Sequence, residues 1–105
     1  MTFVETSVFT RQIQNLISDN TYRQFQQELI LNPAAGNIIR GGGGLRKIRC
    51  RADGKGKRGG IRVIYYWYTA DNEIYLLLAY AKNEKDNLSP EELKILRGLI
   101  EENLK

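Results

Sequence analysis

The 105-residue chain contains no histidine. That absence removes the usual general base, the Ser/His and Cys/His nucleophile pairs and the commonest metal ligand. A single cysteine, Cys50, forbids an internal disulfide, makes a structural zinc site untenable and fits a reducing compartment. No apolar run approaches the roughly 18 residues of a membrane span, and Met1 to Gln12 lack a basic flank followed by an apolar signal core. A cytoplasmic protein without a membrane partner is therefore expected. The glycine run Gly41 to Gly44 is not followed by the lysine and hydroxyl residue of a phosphate-binding loop, and reads as a flexible connection. Glu91, Glu92, Glu101 and Glu102 lie along one helix pattern and form neither a glycosidase pair nor a metal cluster. No metal or cofactor is expected, and any catalysis must run on Arg, Lys, Tyr, Asp or Glu.

What the chain does have is concentrated charge. Between Arg40 and Arg62 stand nine basic side chains and one acid, Asp53, a local charge of +8. The remaining residues carry seven bases against eleven acids, so the net +4 conceals a polarised molecule. A positive field of this density meets an anion, and phosphate polymers are the commonest large anions in a cell.

At this length, with 42% hydrophobic and 27% charged residues, one small globular domain is expected. Thr2 to Glu5 reads as a short strand. Phe9, Ile13, Leu16 and Ile17 recur at helical spacing and predict a helix over Val8 to Ile17. Ser18-Asp19-Asn20 breaks it and offers a cap for a second helix, Thr21 to Leu31, built on Tyr22, Phe25 and Leu29 and ended by Asn32-Pro33. The two read as a helical hairpin laid on a sheet, followed by a loop from Asn37 to Gly44.

The centre is LRKIRCRADGKGKRGGIRVIYYWY, two strands (Leu45 to Ala52 and Ile61 to Tyr68) joined by a polar turn from Asp53 to Gly60. A third strand, Ile74 to Ala81, is apolar on both faces. After a polar loop from Lys82 to Asn87, Ser89, Pro90 and Glu92 spell the start of the last helix as a capping box, with Leu88 placed to staple onto Leu93. Leu93, Leu96, Ile100 and Leu104 form its stripe, and Gly98 costs it roughly 1 kcal/mol. The predicted class is α+β: a small, mostly antiparallel sheet in the order β-α-α-β-β-β-α, packed by the hairpin and the C-terminal helix.

Strand alternation separates Arg46, Ile48, Cys50 and Ala52 on one face from Lys47, Arg49 and Arg51 on the other. With Arg62 opening the partner strand close to Arg51, these cations make a row able to follow two or three phosphates. The plainer alternative is a solvated face whose charges protect an edge. Lys55, Lys57 and Arg58 in the turn either steer nucleic acid or merely solvate it. Lys82 and Lys85 follow the third strand and are expected at the same end of the sheet as Lys47. Of Tyr65, Tyr66, Trp67 and Tyr68, alternation sends some into the core and leaves others for base stacking. Cys50 reads as a small buried hydrophobe.

Such a site suits RNA, which brings its own 2′-hydroxyl nucleophile. Fixed guanidinium groups chelate the phosphate oxygens as negative charge builds. A lysine serves as base only when neighbouring cations pull its pKa from about 10.4 toward neutrality, roughly 4–5 kcal/mol of repulsion. Lys47 stands beside Arg49 and Arg62.

GGLRKIR, GKGKRGGIRVIYYW and IYLLLAYAKNEKDNLSPEEL, together with the element order, resemble the RelE/ParE superfamily of bacterial toxins, specifically its HigB-type branch, over nearly the whole chain. The resemblance implies the toxin of a type II toxin-antitoxin system. Such a toxin is an mRNA endonuclease acting in the ribosomal A site, neutralised by a helix-turn-helix antitoxin through which alone it meets operator DNA. It carries phosphate-binding or acid–base roles over to Lys47, Arg49 and Arg51, and to Arg62 at the start of the next strand. Arg46, Lys55, Lys57, Arg58 and Lys85 are expected to contact RNA. After the third strand RelE itself has a catalytic arginine; here AKNEKD puts Asn83 in its place, and Lys82 is the expected substitute. Where RelE has a tyrosine near its end, this chain has Leu88-Ser89. A ParE-like gyrase inhibitor and a non-enzymatic RNA- or antitoxin-binding module remain the alternatives, and the row of cations favours the nuclease.

Overall fold

The computed structural model describes residues 1–51, 60–85 and 87–104. The turn cations Lys55, Lys57 and Arg58, and Ala52 at the expected strand end, lie outside the described residues. Among these residues five strands form one sheet in the order β1-β5-β4-β3-β2: β1 Thr2–Glu5, β2 Asn37–Ile38, β3 Arg46–Cys50, β4 Ile61–Tyr68 and β5 Glu73–Ala81. β1 runs parallel to β5 and every other pair is antiparallel. Among the described residues three helices, α1 Ser7–Leu16, α2 Asp19–Leu31 and α3 Pro90–Leu104, complete the α+β fold. Among the described residues no helix is long and apolar enough to cross a membrane.

The α1–α2 hairpin forms because each helix has a hydroxyl cap and one apolar stripe. Thr6 Oγ accepts from the Phe9 N–H and Ser18 Oγ from the Thr21 N–H. α2 begins at Asp19, two residues before its expected start, since Ser18 itself is the cap and Asp19 sits favourably in the first turn. Phe9, Ile13, Ile17, Phe25 and Leu29 pack on Cys50, Ile61, Val63, Tyr65, Ile74, Leu76 and Ala79 to form the main core. Cys50 is buried there, as its sequence reading anticipates. On the opposite face α3 sets Leu96 and Ile100 over Leu45, Ile64, Leu77 and Tyr80. Its capping box is complete: Ser89 Oγ accepts from the Glu92 N–H, and Glu92 Oε1 from the Ser89 N–H.

β1 supports β5 only as far as Leu76, where Glu5 is its last partner. Beyond that point α1 supplies the missing bonds. Thr6 Oγ donates to the Leu77 carbonyl at 3.0 Å, and Gln12 Oε1 accepts from the Ala79 N–H at 2.8 Å. β5 also carries a bulge. Ile64 faces Leu78 and Tyr65 faces Leu76, leaving Leu77 as the extra residue. The bulge changes the phase of the strand: Ile74 and Leu76 face the hairpin before it, Ala79 after it, while Leu77 and Leu78 both pack toward α3.

The stretch read as a plain loop from Asn37 to Gly44 opens with the two-residue strand β2, pairing Asn37 with Lys47 and Ile38 with Arg46. The glycines after it form a closed connection. Ile39 N–H donates to the Leu45 carbonyl at 2.9 Å and Gly42 N–H to the Ile39 carbonyl at 2.9 Å. Gly44 is required: its φ is +106° and a Cβ there would lie 2.7 Å from the Tyr66 ring. Gly44→Ala should lower unfolding stability by about 1–3 kcal/mol, read as a shifted denaturant midpoint at unchanged slope; an unchanged midpoint would refute the fit.

Candidate nucleic-acid interface

Period-two alternation and antiparallel register assemble the basic site on the α3 side of the sheet. Lys47 and Arg49 project there from β3. Arg62 on β4 lies directly across from Arg49 and, on its other side, from Tyr80 of β5, so Arg49, Arg62 and Tyr80 form one line across three strands. Side chains so opposed stand about 4.5–5.5 Å apart at Cβ. Two residues along, roughly 7 Å, runs the line Asn37, Lys47, Ile64 and Leu78. α3 closes over the apolar end of this face and leaves Arg49 exposed, with Lys47 and Arg62 half-buried. Arg62 therefore meets Arg49 rather than Arg51, because the ladder begins at Cys50 and Ile61. Arg51 lies just past the end of β3 and is exposed. Gly60, at φ +63°, keeps the strand entrance narrow: a Cβ there would press within 3.3 Å of Arg49 Nε.

The polar loop after β5 arrives differently from expectation. β5 ends beside the start of β4, so Lys82 sits at the Cys50 end of β3, its N–H bonded to the Gly60 carbonyl at 3.1 Å. It is not at the Lys47 end, because β5 runs in the same direction as β3. Asn83 is exposed in the tight turn that follows. The chain then doubles back, and Asn87 reaches Lys47: Lys47 Nζ donates to Asn87 Oδ1 at 2.8 Å. Lys85 lies 5.6 Å from the centroid of the Tyr80 ring and is ion-paired with Glu92, tying the loop to the first turn of α3.

Arg46 belongs to the other face. Its Nη1 donates to the carbonyls of Ala34 and Gly36 at 3.2 and 2.8 Å, which braces the segment between α2 and β2. The aromatic run divides by alternation as expected: Tyr65 and Trp67 pack with the hairpin core, Tyr66 beneath α3. Tyr68 is half-buried at the far end of β4.

Hydrogen bonding from Lys85, with the Ser89 N–H, holds the Glu92 carboxyl below the usual carboxylate range. A carboxyl depressed in the folded state contributes stability that is fully present above its unfolded pKa and lost as pH falls through the folded one. The start of α3 should therefore loosen below pH about 4, seen as faster amide exchange at residues 89–93. Glu92→Gln should show that looser exchange at neutral pH and no further acid step.

Arginines and lysines gathered around a tyrosine attract an anion and disfavour a metal cation. Sequence reasoning missed Asn87 and Tyr80 as members of this region. Asn87 is 40 residues from Lys47, and no local pattern links them. Residues 2–105 match the family model described as the RelE toxin of the RelE / RelB toxin-antitoxin system.

Proposed function

We propose that this chain, which belongs to the RelE toxin family of toxin-antitoxin systems, is a metal-independent endoribonuclease that cleaves translated mRNA in the ribosomal A site and so stops translation. The observation that carries this reading is the Arg49–Arg62 pair, two guanidinium groups opposed on an open sheet face. Two guanidinium groups brought together on one open face concentrate positive charge where both can fork onto the oxygens of a single phosphate. In the reaction the ribose 2′-oxygen loses its proton and attacks the adjacent phosphorus, and the P–O5′ bond breaks as the 5′-oxygen gains a proton. The products are a 2′,3′-cyclic phosphate and a 5′-hydroxyl end. Arg49 and Arg62 bind the phosphate oxygens while the extra charge develops. We assign the proton transfers to the lysines on either side, Lys47 held by Asn87 and Lys82 at the Gly60 end. Arg51, Lys85 and the turn cations Lys55, Lys57 and Arg58 extend the RNA contact; Arg46, occupied on the opposite face, does so least directly. The antitoxin partner carries the helix-turn-helix, and the toxin reaches operator DNA only through it, in the cytoplasm.

The test is induction in cells with transcript 5′ ends mapped, repeated with purified protein on programmed ribosomes. In-frame cuts within translated codons, reduced in Lys82→Ala, support the reading. Intact transcripts alongside DNA damage would favour a gyrase inhibitor, and salt-sensitive RNA binding without cuts a binding module. Full toxicity of Lys82→Ala removes Lys82 from the chemistry.

A further inference from the structure

The loop between β5 and α3 meets two lysines of this face, and it treats them differently. Lys47 gives its ammonium to a neutral amide, Asn87 Oδ1, and keeps its charge for an anion. Lys85 is ion-paired with the Glu92 carboxylate. Its ammonium also stands over the Tyr80 ring, 5.6 Å from the centroid, and an aromatic face attracts a cation. Tyr80 is the cross-strand neighbour of Arg62. Lys85 is therefore held at the end of the line Arg49, Arg62 and Tyr80, beside the place of a bound phosphate, with its charge cancelled.

The acid that cancels it has two tasks. Glu92 Oε1 accepts from the Ser89 N–H at 2.9 Å and closes the capping box, while Oε2 takes Lys85. Both side chains of the pair are partly open to water, 29% for Lys85 and 37% for Glu92. Pairs so exposed hold weakly and are displaced by a stronger anion. A phosphodiester carries the same single negative charge as the carboxylate and gains little by the exchange. The phosphorane formed when the 2′-oxygen attacks carries one charge more, and attracts the ammonium more strongly than Glu92 does. An interaction realised only in the transition state raises the rate, whereas one made equally with bound substrate only tightens binding. We infer that Glu92 is a positioning residue for the cleavage: it holds Lys85 beside Arg62 and away from the phosphate of bound RNA, and yields it to the phosphorane. The inference rests on the RNA-cleaving reading of the row and adds to it an acid that governs when one of its cations engages.

The test is single-turnover cleavage on programmed ribosomes over a range of toxin concentrations, which separates half-saturation from maximal rate. Lys85→Ala should lower the maximal rate about tenfold, the worth of one charge-assisted hydrogen bond, and leave half-saturation in place. Glu92→Gln keeps an oxygen for the Ser89 N–H but loses the charge. It should lower the half-saturating concentration about two- to fivefold, the worth of a partly exposed pair, and the maximal rate should not rise. In the Lys85→Ala background the same substitution should have less than half of that effect on a logarithmic scale. A residue that merely braces the loop would do the opposite: its loss would raise half-saturation. The inference is overturned if Glu92→Gln leaves half-saturation unchanged or raises it, if its gain persists in full without Lys85, or if Lys85→Ala alters half-saturation alone. If the parent protein cuts no programmed mRNA, the RNA-cleaving reading itself fails and this inference goes with it.

Discussion

Arg62→Ala is expected to reduce single-turnover cleavage of A-site mRNA about 10²–10³-fold without unfolding the protein. The residue is the second of β4, between Arg49 and Tyr80 on the flanking strands, half-buried, on a strand held by neighbours on both sides. Its position is therefore set by the sheet and not by a loop, which is what preorganised charge stabilisation requires. Arg62→Lys should recover only part of the loss, because a point-charge ammonium lacks the planar fork that takes two phosphate oxygens together. Arg49→Ala should lose activity as well. Its thermal midpoint should hold or rise, since directly opposed like charges destabilise a sheet. That combination, lost activity with undiminished stability, separates a functional charge pair from a surface feature. Cleavage by primer extension and thermal unfolding of the same preparations measure the two halves. Full activity in Arg62→Ala would end the assignment.

The parts of this site that could be read in advance are those set by short-range periodicity. β4 spans Ile61 to Tyr68 in both the sequence reading and the structure, because an unbroken β-branched and aromatic run has no competing conformation. Lys47 and Arg49 share a face for the same period-two reason, and the Ser89–Glu92 box fixes the start of α3. Quantities that depend on register were not legible. Whether Arg62 meets Arg49 or Arg51 turns on where the ladder closes, which the polar turn between the strands leaves open. The extra residue Leu77 shifts the phase of β5 without any glycine or proline to announce it. β2 is two residues long, too short for any alternation to register. The contact from Asn87 to Lys47 depends on the return of a loop that, by strand direction alone, starts from the wrong end of the sheet.

The same long-range dependence makes Tyr65→Phe the most damaging conservative substitution expected in the chain. Tyr65 is fully buried, and its hydroxyl does two things at once: it accepts from the Gly36 N–H at 2.8 Å and donates to the Pro33 carbonyl at 2.8 Å. These bonds join the centre of β4 to the segment between α2 and β2, which Arg46 braces through the Ala34 and Gly36 carbonyls. Phenylalanine keeps the ring and the packing but strands a buried donor and leaves the carbonyl without its partner. Leaving buried polar groups unsatisfied costs roughly 1–3 kcal/mol, so a loss of about 2–3 kcal/mol and a drop of roughly 8–20 °C in thermal midpoint are expected. The damage should also travel. The released segment carries β2, whose Asn37 pairs with Lys47 and whose Ile38 walls a cavity beside it. Amide exchange should accelerate at residues 34–39 before it does so in β4. Cleavage, measured well below the lowered midpoint, should then fall by less than in Arg62→Ala, because the guanidinium pair on β3 and β4 stays in register. Equal exchange across the sheet, or a midpoint within 2 °C of the parent, would show that the hydroxyl is not the tie between core and site.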